Sequence, residues 1–400
     1  MAHELLNETT SILADLIAFP SVSQDSNADL IDYLKHRLER LGARIEVTSD
    51  ADGGKANIFA TIGPADQDGG VVLSGHTDVV PVEGQDWSSD PFTAALRDGR
   101  IYGRGACDMK GFIACAMAHA PLFARAKLKR PLHLAFTYDE EVGCLGAQVM
   151  LERLGRTGPK PAICIVGEPT GMAIIEGHKG CCEYTTTFSG TAGHASQPDL
   201  GVNAVEYAVR YITRLLEVGE ALKARAPAQS LFDPPWSTIQ VGRIAGGTAR
   251  NIIAEACSVE WELRPINSDD LAFAKANIEN YVETQLLPRM RAVHPRADIL
   301  TSVIGEVVGL EPMSPSQAEA LVRSLTGNRD KATCVSFGTE AGLFQQLGIS
   351  TVICGPGSIA QAHKADEYVA LDQLDACLST MSKLKDTLVG PQQVDEMARR

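Results

Sequence analysis

Short apolar runs alternate with helix-like segments in the first part of the chain. The runs at residues 71–74, 132–137 and 162–166 indicate buried strands, and residues 109–126 have the pattern of a helix. A further apolar run at residues 351–354 indicates a strand near the C-terminal end. Strands that alternate with helices predict a mostly parallel, twisted sheet with helices on both faces.

The middle of the chain has the pattern of an antiparallel sheet with one exposed face. In residues 257–264, apolar side chains at odd positions alternate with polar ones at even positions. The predicted elements are, in order, strand 182–188, helix 203–218, strand 238–244, strand 257–264, a helix capped by Ser268 that ends near Pro288, and strand 298–303. This β-α-β-β-α-β order predicts a ferredoxin-like sandwich.

We therefore predict an α/β protein with a discontinuous first domain and an inserted second domain. Residues 1–180 and 306–400 form the first domain, which resumes with a helix near Gln317. Residues 181–305 form the inserted α+β domain. A chain of 400 residues is long enough for two domains.

Composition and charge argue against several classes of protein. No stretch contains the roughly 20 apolar residues that a membrane-spanning helix needs. A net charge of −14 argues against a nucleic-acid partner, because proteins that bind nucleic acid carry basic patches. The N-terminal segment lacks the pattern of a signal peptide, and the ten cysteines show no Cys-x-x-Cys ligand spacing. We expect a cytoplasmic protein that binds neither membranes nor nucleic acid.

Histidines and carboxylates cluster where the predicted strands end. The residues that follow the four apolar runs are His76 with Asp78, Glu140 with Glu141, Glu168, and His363 in the loop after the last run. Open α/β sheets bind ligands outside the carboxyl ends of their strands, so we expect these side chains in one crevice. Each alone has an ordinary structural explanation, such as a turn histidine or a surface pair of carboxylates. Together they predict a site for two metal ions, which in co-catalytic centres lie about 3.5–4 Å apart and share a ligand.

A glycine-rich segment, residues 102–111, precedes the first long helix of the pattern. Such segments bind phosphate in some proteins, but this one lacks the Gly-Lys-Ser/Thr ending of a P-loop and the spacing of dinucleotide sites. Its acidic residue, Asp108, would repel phosphate. We predict that Asp108 is a metal ligand at a tight turn.

These segments resemble the di-zinc peptidase and deacylase family that includes carboxypeptidase G, succinyl-diaminopimelate desuccinylase and acetylornithine deacetylase. The resemblance covers nearly the whole chain. It is carried by residues 74–81, 87–92, 102–111, 139–143, 167–169 and 193–196. The two-domain fold that this resemblance implies agrees with the layout expected from the hydrophobic pattern.

The resemblance implies a set of metal ligands. His76 and Glu168 would bind one zinc ion, and Glu141 and His363 the other. Asp108 would bridge the two ions. Cobalt is compatible with the same ligands, so the expected cofactor is two Zn²⁺ or Co²⁺ ions per subunit.

The resemblance also implies the catalytic groups. Asp78 would orient His76, and Glu140 would be the general base that takes a proton from the metal-activated water. The inserted domain would act as a lid and form a homodimer, in which His194 reaches the active site of the second subunit and stabilises the oxyanion. The structural alternative for His194 is an ordinary turn residue.

Four residues are expected to contact the substrate, which the resemblance implies is a small N-acyl amino acid. Asn251 and Arg264 would hold its carboxylate, with Lys179 as a weaker candidate for the same task and Gly355 close by. A surface ion pair is the alternative role for Arg264. Glu340 would either face a cationic side chain of the substrate or begin a helix.

The segments at residues 112–114, 338–344 and 354–368 are most similar to the acetylornithine deacetylase branch of the family. The resemblance therefore implies hydrolysis of N-acetyl-L-ornithine to ornithine and acetate, a step of arginine biosynthesis. The alternative enzyme is a related N-acyl-amino-acid deacylase or carboxypeptidase, such as N-succinyl-diaminopimelate desuccinylase. A catalytically inactive metal-binding regulatory protein and a structural dimer module are alternatives from other classes, although five ligands together with Glu140 favour an enzyme.

Overall fold

The computed structural model describes residues 2–156 and 160–390. The helices of these residues are α1 (Ala2–Ile17), α2 (Ala28–Glu39), α3 (Lys110–Arg125), α4 (Leu145–Arg156), α5 (Ala204–Ala224), α6 (Ser268–Tyr281), α7 (Leu287–Val293), α8 (Gln317–Thr326), α9 (Ala341–Gln346) and α10 (Leu371–Val389). The strands are β1 (Arg44–Ser49), β2 (Ala56–Ile62), β3 (Val71–His76), β4 (Ala95–Arg97), β5 (Arg100–Tyr102), β6 (Leu132–Thr137), β7 (Ile163–Pro169), β8 (Ile175–His178), β9 (Cys181–Ser189), β10 (Thr238–Gly246), β11 (Ala256–Arg264), β12 (Asp298–Val307), β13 (Thr333–Val335), β14 (Ser350–Gly355) and β15 (Tyr368–Ala370). None of these helices combines the length and the hydropathy that crossing a membrane requires.

A mixed eight-stranded sheet forms the centre of the first compact unit, which comprises Met1–Glu176, Pro312–Thr333 and Thr339–Arg400. The strand order is β1-β2-β6-β3-β7-β14-β8-β13, and the neighbouring strands β6, β3, β7 and β14 are parallel. The β1–β2, β2–β6 and β14–β8 pairs are antiparallel. The predicted α/β class is confirmed, with antiparallel strands added on both sides of a parallel centre.

Helices cover both faces of this sheet. One hydrophobic cluster contains residues of α1, α2, α3, α8 and α10 together with alternate residues of the central strands, including Leu73, Leu134 and Val352. The helices α4 and α9 contact each other outside that cluster, so they cover the opposite face. Burial on both faces explains why the parallel strands are continuous apolar runs in the sequence.

The second compact unit, Gly177–Glu311 with Cys334–Gly338, is a four-stranded antiparallel sheet with helices on one face. Its strand order is β10-β11-β9-β12, which is that of the predicted ferredoxin-like sandwich. The ring of Tyr211 on α5 packs edge-on against Phe188 and Trp261 of the sheet. The alternation of buried and more exposed residues along β9 and β11 confirms the expected pattern.

Two helix ends in this unit differ from the expectation. Asn267, rather than Ser268, caps α6, because the Asn267 side chain accepts a hydrogen bond from the backbone N–H of Asp270 at 2.8 Å. The helical path also continues beyond Pro288. This is possible because Pro288 lies in the first turn of α7, where no backbone N–H is needed within the helix.

The boundaries of the compact units also differ in detail from those drawn on the sequence. The second unit begins at Gly177 rather than at residue 181, and its main segment ends at Glu311 rather than at residue 305. It also includes the short segment Cys334–Gly338. Local periodicity does not reveal such a segment, because its membership depends on contacts with residues remote in the sequence.

His133 on β6 is a buried histidine with few polar partners. Its Nδ1 atom lies 2.9 Å from Thr61 Oγ1, and its ring stacks on Phe59 with a centroid distance of 5.2 Å. Burial lowers the pKa of His133 to about 4, because the charged imidazolium would lose its hydration.

We expect His133 to make the free energy of unfolding depend on pH. The unfolded chain takes up a proton near pH 6.5, whereas folded His133 resists protonation until about pH 4. The free energy of unfolding should therefore decrease as the pH falls from about 6.5 to about 4, because the unfolded chain binds a proton that the folded protein does not. The contribution of His133 to this slope is up to about 1.4 kcal/mol per pH unit. The buried residues His119 and His178 also have lowered pKa values and add their own pH dependence. Urea unfolding of chelator-treated protein should therefore give a steeper slope in the wild type than in His133→Gln, and equal slopes would contradict the assignment.

Candidate metal centre

The carboxyl ends of adjacent parallel strands bring the predicted ligands together. His76 is the last residue of β3 and is paired in register with Thr137, the last residue of β6. The turn after β6 carries Glu140 and Glu141, and Glu168 lies at the end of the neighbouring strand β7. Because these strands are parallel, their carboxyl ends meet at one edge of the sheet.

Five side chains form two groups that share Asp108, and we call them the candidate metal centre. Ligand atoms of His76, Asp108 and Glu168 all lie within 4.8 Å of one another, and so do those of Asp108, Glu141 and His363. The Oδ1 atom of Asp108 is 3.0 Å from His76 Nε2, and its Oδ2 atom is 3.4 Å from His363 Nε2. His363 Nε2 also lies 3.1 Å from Glu141. One carboxylate thus directs one oxygen into each group, the arrangement of a bridging ligand.

The donor set fits divalent transition-metal ions. It consists of imidazole nitrogens and carboxylate oxygens, the groups that zinc accepts outside thiolate sites. The Oε1 atom of Glu168 is buried and has no hydrogen-bond donor within the described residues. A bound cation would satisfy this acceptor, whose burial without a partner is otherwise costly.

The imidazoles and the carboxylates of the centre favour one another's charged forms. Burial opposes the ionisation of Asp108, but hydrogen bonds from His363 and His76 hold its pKa below the ordinary value. The contacts with Asp108 and Glu141 raise the pKa of His363 to about 10. Burial disfavours a charged His76, yet the hydrogen bond to Asp108 and the charge of Glu168 raise its pKa. Metal binding would therefore displace protons from both imidazoles.

Glu140 lies beside the centre without belonging to either group. Burial raises its pKa well above the ordinary value, and the charges of Glu141, Asp78 and Asp108 raise it further. The thiol of Cys144 approaches Glu140 Oε1 at 3.7 Å. A half-buried carboxyl group with a raised pKa is suited to accept and return a proton.

Asp78 connects the histidine on β3 to the turn that carries the two glutamates. His76 Nδ1 donates to the backbone carbonyl of Asp78 at 2.9 Å, which leaves Nε2 free to face Asp108. The Asp78 carboxylate lies 3.7 Å from His76 Nδ1. Its two oxygens instead accept from the backbone N–H groups of Glu140 at 3.1 Å and Glu141 at 3.3 Å.

Two further residues near this turn were not expected from the sequence. Lys55 Nζ donates to both carboxylate oxygens of Asp139 at 2.7 Å and to the carbonyl of Ser23. Ser23 Oγ in turn donates to Asp78 Oδ2 at 2.7 Å. Asp139 is part of the acidic motif, but no local pattern links it to Lys55, which is 84 residues away.

Glu340 directly precedes the first residue of α9, which agrees with its suggested position at a helix start. It is buried, and its carboxylate accepts hydrogen bonds from Ser74 Oγ at 2.6 Å and Thr137 Oγ1 at 2.7 Å. Its side chain makes no capping hydrogen bond to α9. Glu340 therefore joins β3 to β6 beneath the residues that carry His76 and Glu140.

Gly355 ends β14 at a very close approach to β7. A Cβ atom at this position would lie 2.0 Å from the backbone oxygen of Gly167, so only glycine fits. The Gly355 N–H donates to Thr170 Oγ1 at 3.2 Å, and its carbonyl accepts from Met172 N at 2.9 Å. The backbone of Gly355 thus has partners within the first unit.

The other predicted substrate and oxyanion residues lie in the second unit. His194 and Asn251 are exposed on adjacent segments, joined by a 3.1 Å hydrogen bond from Ala195 N to the Asn251 carbonyl. Arg264 makes the ion pair that was its alternative role, with Glu262 at 3.0 Å. Lys179 is buried and donates to the Trp236 carbonyl at 2.8 Å, and burial lowers its pKa. The structure thus brings His194 and Asn251 together, whereas Arg264 and Lys179 have separate partners.

Comparisons with known proteins identify the family and agree with this fold. The model of peptidase family M20/M25/M40 matches residues 72–386. The chain is 34% identical to acetylornithine deacetylase of Proteus mirabilis (strain HI4320) over 376 residues, which covers 92% of this chain and 94% of that protein. It is 35% identical to acetylornithine deacetylase of Myxococcus xanthus over 376 residues, covering 93% and 95%.

Solved structures share the fold at lower sequence identity. An M20 family metallo-carboxypeptidase from Sulfolobus solfataricus has a TM-score of 0.71 at 18% identity, covering 96% of this chain and 99% of that chain. A dinuclear metal binding peptidase from the M20 family of Bacillus subtilis has a TM-score of 0.66 at 16% identity, covering 97% and 99%. The chain therefore belongs to peptidase family M20/M25/M40 and is a metal-dependent hydrolase of amide bonds.

Proposed function

We propose that the protein is a cytoplasmic, homodimeric deacylase that hydrolyses N-acetyl-L-ornithine to ornithine and acetate in arginine biosynthesis. The observation that carries the catalytic part is the Asp108 carboxylate, which directs one oxygen to His76 and the other to His363. The substrate is supported by the acetylornithine deacetylases of similar sequence, which align over nearly their whole length.

The ligands of the centre divide into two sets around the shared aspartate. His76 and Glu168 would hold one ion, Glu141 and His363 the other, and Asp108 would contact both. Two Zn²⁺ or Co²⁺ ions would supply Lewis acidity and lower the pKa of a water molecule. No cysteine belongs to the two ligand groups of the described residues, which agrees with a catalytic rather than a structural site.

Glu140 would move the proton during hydrolysis. Its carboxylate takes a proton from the attacking water and returns it to the leaving amine of the substrate. The hydrogen bond from its backbone N–H to Asp78 fixes its position next to Glu141. Because burial raises the pKa of Glu140, the group is able to hold a proton between these two steps.

The second unit would recognise the carboxylate of the substrate. Asn251 is exposed, whereas Arg264 would have to exchange or share its partner Glu262, and Lys179 would have to leave the Trp236 carbonyl. Asn251 is therefore the residue of this set that is most ready to bind. His194 would stabilise the developing oxyanion in the active site of the second subunit.

One assay tests the metal requirement and the substrate together. Chelation should abolish hydrolysis of N-acetyl-L-ornithine by the purified protein, and Zn²⁺ or Co²⁺ should restore it, because the centre needs a cation to activate water. N-succinyl-diaminopimelate, assayed in parallel, should give a lower kcat/KM. A higher kcat/KM for the succinyl compound would overturn the proposed substrate while leaving the metal-dependent reaction in place.

Removal of the proton carrier should separate metal binding from turnover. Glu140→Ala should still bind two metal ions per subunit, measured by elemental analysis, but lose about 10²–10⁴-fold in kcat. Glu152→Ala on α4, which removes an exposed glutamate paired with Arg156, is the matched control and should keep full activity. Turnover by Glu140→Ala at the wild-type rate would contradict the mechanism.

Mixing two inactive variants tests the homodimer and the role of His194. In a mixed dimer of His194→Ala and Glu140→Ala subunits, one active site would have its own Glu140 and receive His194 from the other subunit. We expect each variant alone to be nearly inactive and the mixture, after subunit exchange, to regain activity. A mixture that shows only the sum of the separate activities, with mixed dimers demonstrated by sedimentation and tagging, would exclude this role of His194.

A further inference from the structure

A buried ion pair lies next to the candidate metal centre and has no role in the steps described above. Arg104 Nη1 and Glu367 Oε2 are 2.7 Å apart, and each side chain is only 1% exposed. Arg104 belongs to the glycine-rich segment that carries Asp108. Glu367 follows His363 in the loop that leads to β15. The pair therefore joins the two segments that supply Asp108 and His363.

The Glu367 carboxylate is surrounded by donors from the Asp108 turn. Its Oε1 atom accepts from the backbone N–H groups of Cys107 at 2.9 Å and Asp108 at 3.0 Å. Its Oε2 atom accepts from the N–H of Gly105 at 3.1 Å as well as from Arg104. Four donors match the acceptor capacity of an ionised carboxylate, so the turn is folded around this one anion.

The Arg104 guanidinium extends the same connection to the His363 loop. Its Nη1 atom donates to the carbonyl of Lys364 at 3.3 Å, and its Nη2 atom donates to Gln85 Oε1. Gln85 Nε2 in turn donates to the backbone carbonyl of His363 at 3.1 Å. The direct and indirect contacts together hold the backbone carbonyl groups of His363 and Lys364.

His363 needs such support because of its own conformation. Its φ of 61° lies in the left-handed region, and its side chain is 52% exposed. An exposed residue in this region is not held by packing, and its backbone conformation has an energetic cost that neighbouring contacts must offset. The same loop must nevertheless keep His363 Nε2 within 3.4 Å of Asp108 Oδ2.

We propose that Glu367, together with Arg104, is a positioning residue that sets the separation of Asp108 and His363 for metal binding. The inference rests on the proposed two-metal site. Because the two charges of the pair neutralise each other, the pair positions the ligands without adding net charge to a centre that already contains several carboxylates. An uncharged acceptor could not satisfy the guanidinium and three backbone N–H groups equally well.

The test is a Co²⁺ titration of the full-length protein after its metal has been removed by chelation. Calorimetry measures the affinity and the number of sites, and visible absorption reports the Co²⁺ coordination. The wild type should bind two Co²⁺ ions per subunit. In Glu367→Gln, an amide NH₂ replaces one carboxylate oxygen and faces donors, so the Asp108 turn shifts. We expect Co²⁺ affinity to fall about 10–100-fold, the usual effect of removing a group that orients a metal ligand, with an altered Co²⁺ absorption spectrum.

A buried acid of the second unit provides the matched control. Asp270 accepts hydrogen bonds from Arg225 Nε at 2.9 Å and from Ser237 Oγ at 2.6 Å. It contacts none of the proposed metal ligands. Asp270→Asn should lower the unfolding midpoint and leave Co²⁺ affinity and spectrum unchanged. If Glu367→Gln does not fold, Arg104→Lys, which keeps the charge but loses the fork of donors, should show the same weakened Co²⁺ binding.

The outcomes separate this inference from the function on which it rests. A folded Glu367→Gln protein, or Arg104→Lys in its place, that binds two Co²⁺ ions with wild-type affinity and spectrum would overturn the positioning role and leave the two-metal site intact. A wild-type protein that binds no Co²⁺ would overturn both. Weaker binding that is confined to the Arg104 and Glu367 variants would support the inference.

Discussion

The close approach of buried and half-buried carboxylates is the constraint on which the rest of the structure depends. Asp108, Glu141 and Glu168 belong to the candidate metal centre, and Glu140 lies beside it. When ionised carboxylates are brought together and partly buried, they repel one another and lose hydration, so they need positive partners. The described contacts supply two imidazoles, and divalent cations are the partners that the donor set fits. The sheet positions these groups, and the surrounding residues keep them there.

Two further acids, Asp78 and Glu367, hold the turns that carry the metal-centre carboxylates by accepting hydrogen bonds from backbone N–H groups. Asp78 accepts from the backbone N–H groups of Glu140 and Glu141, as Glu367 does from those of Cys107 and Asp108. A cation also pairs with an acid at each of the two turns. Lys55 pairs with Asp139 in the Glu140 turn, and Arg104 pairs with Glu367 at the Asp108 turn. Acids whose hydrogen bonds are satisfied thus lie beside the carboxylates of the centre. This arrangement allows several carboxylates to be buried together at the end of one sheet.

The second unit is stabilised mainly by a hydrophobic core rather than by buried acids. Its aromatic core of Tyr211, Phe188 and Trp261 gives it a hydrophobic cluster of its own. Its polar groups are mostly engaged, as Arg264 is by Glu262 and Lys179 by the Trp236 carbonyl. To bind a substrate carboxylate, these two cations would have to give up their present contacts. The loss of those contacts would reduce the net gain in affinity, so the best ligands would replace each of them.

The sequence by itself determined the central parallel strands β3, β6, β7 and β14 and the element order of the ferredoxin-like unit, and it predicted the candidate ligand residues. It could do so because burial on both faces produces continuous apolar runs, half-burial produces alternation, and ligands follow the ends of parallel strands. The tertiary structure alone decided the partners of Lys55, Glu340 and Glu367, and it alone assigned Cys334–Gly338 to the second unit. Lys55 pairs across 84 residues and Glu367 across 263. No local periodicity encodes such pairs, because they arise only when packing of the sheet and its helices brings distant segments into contact.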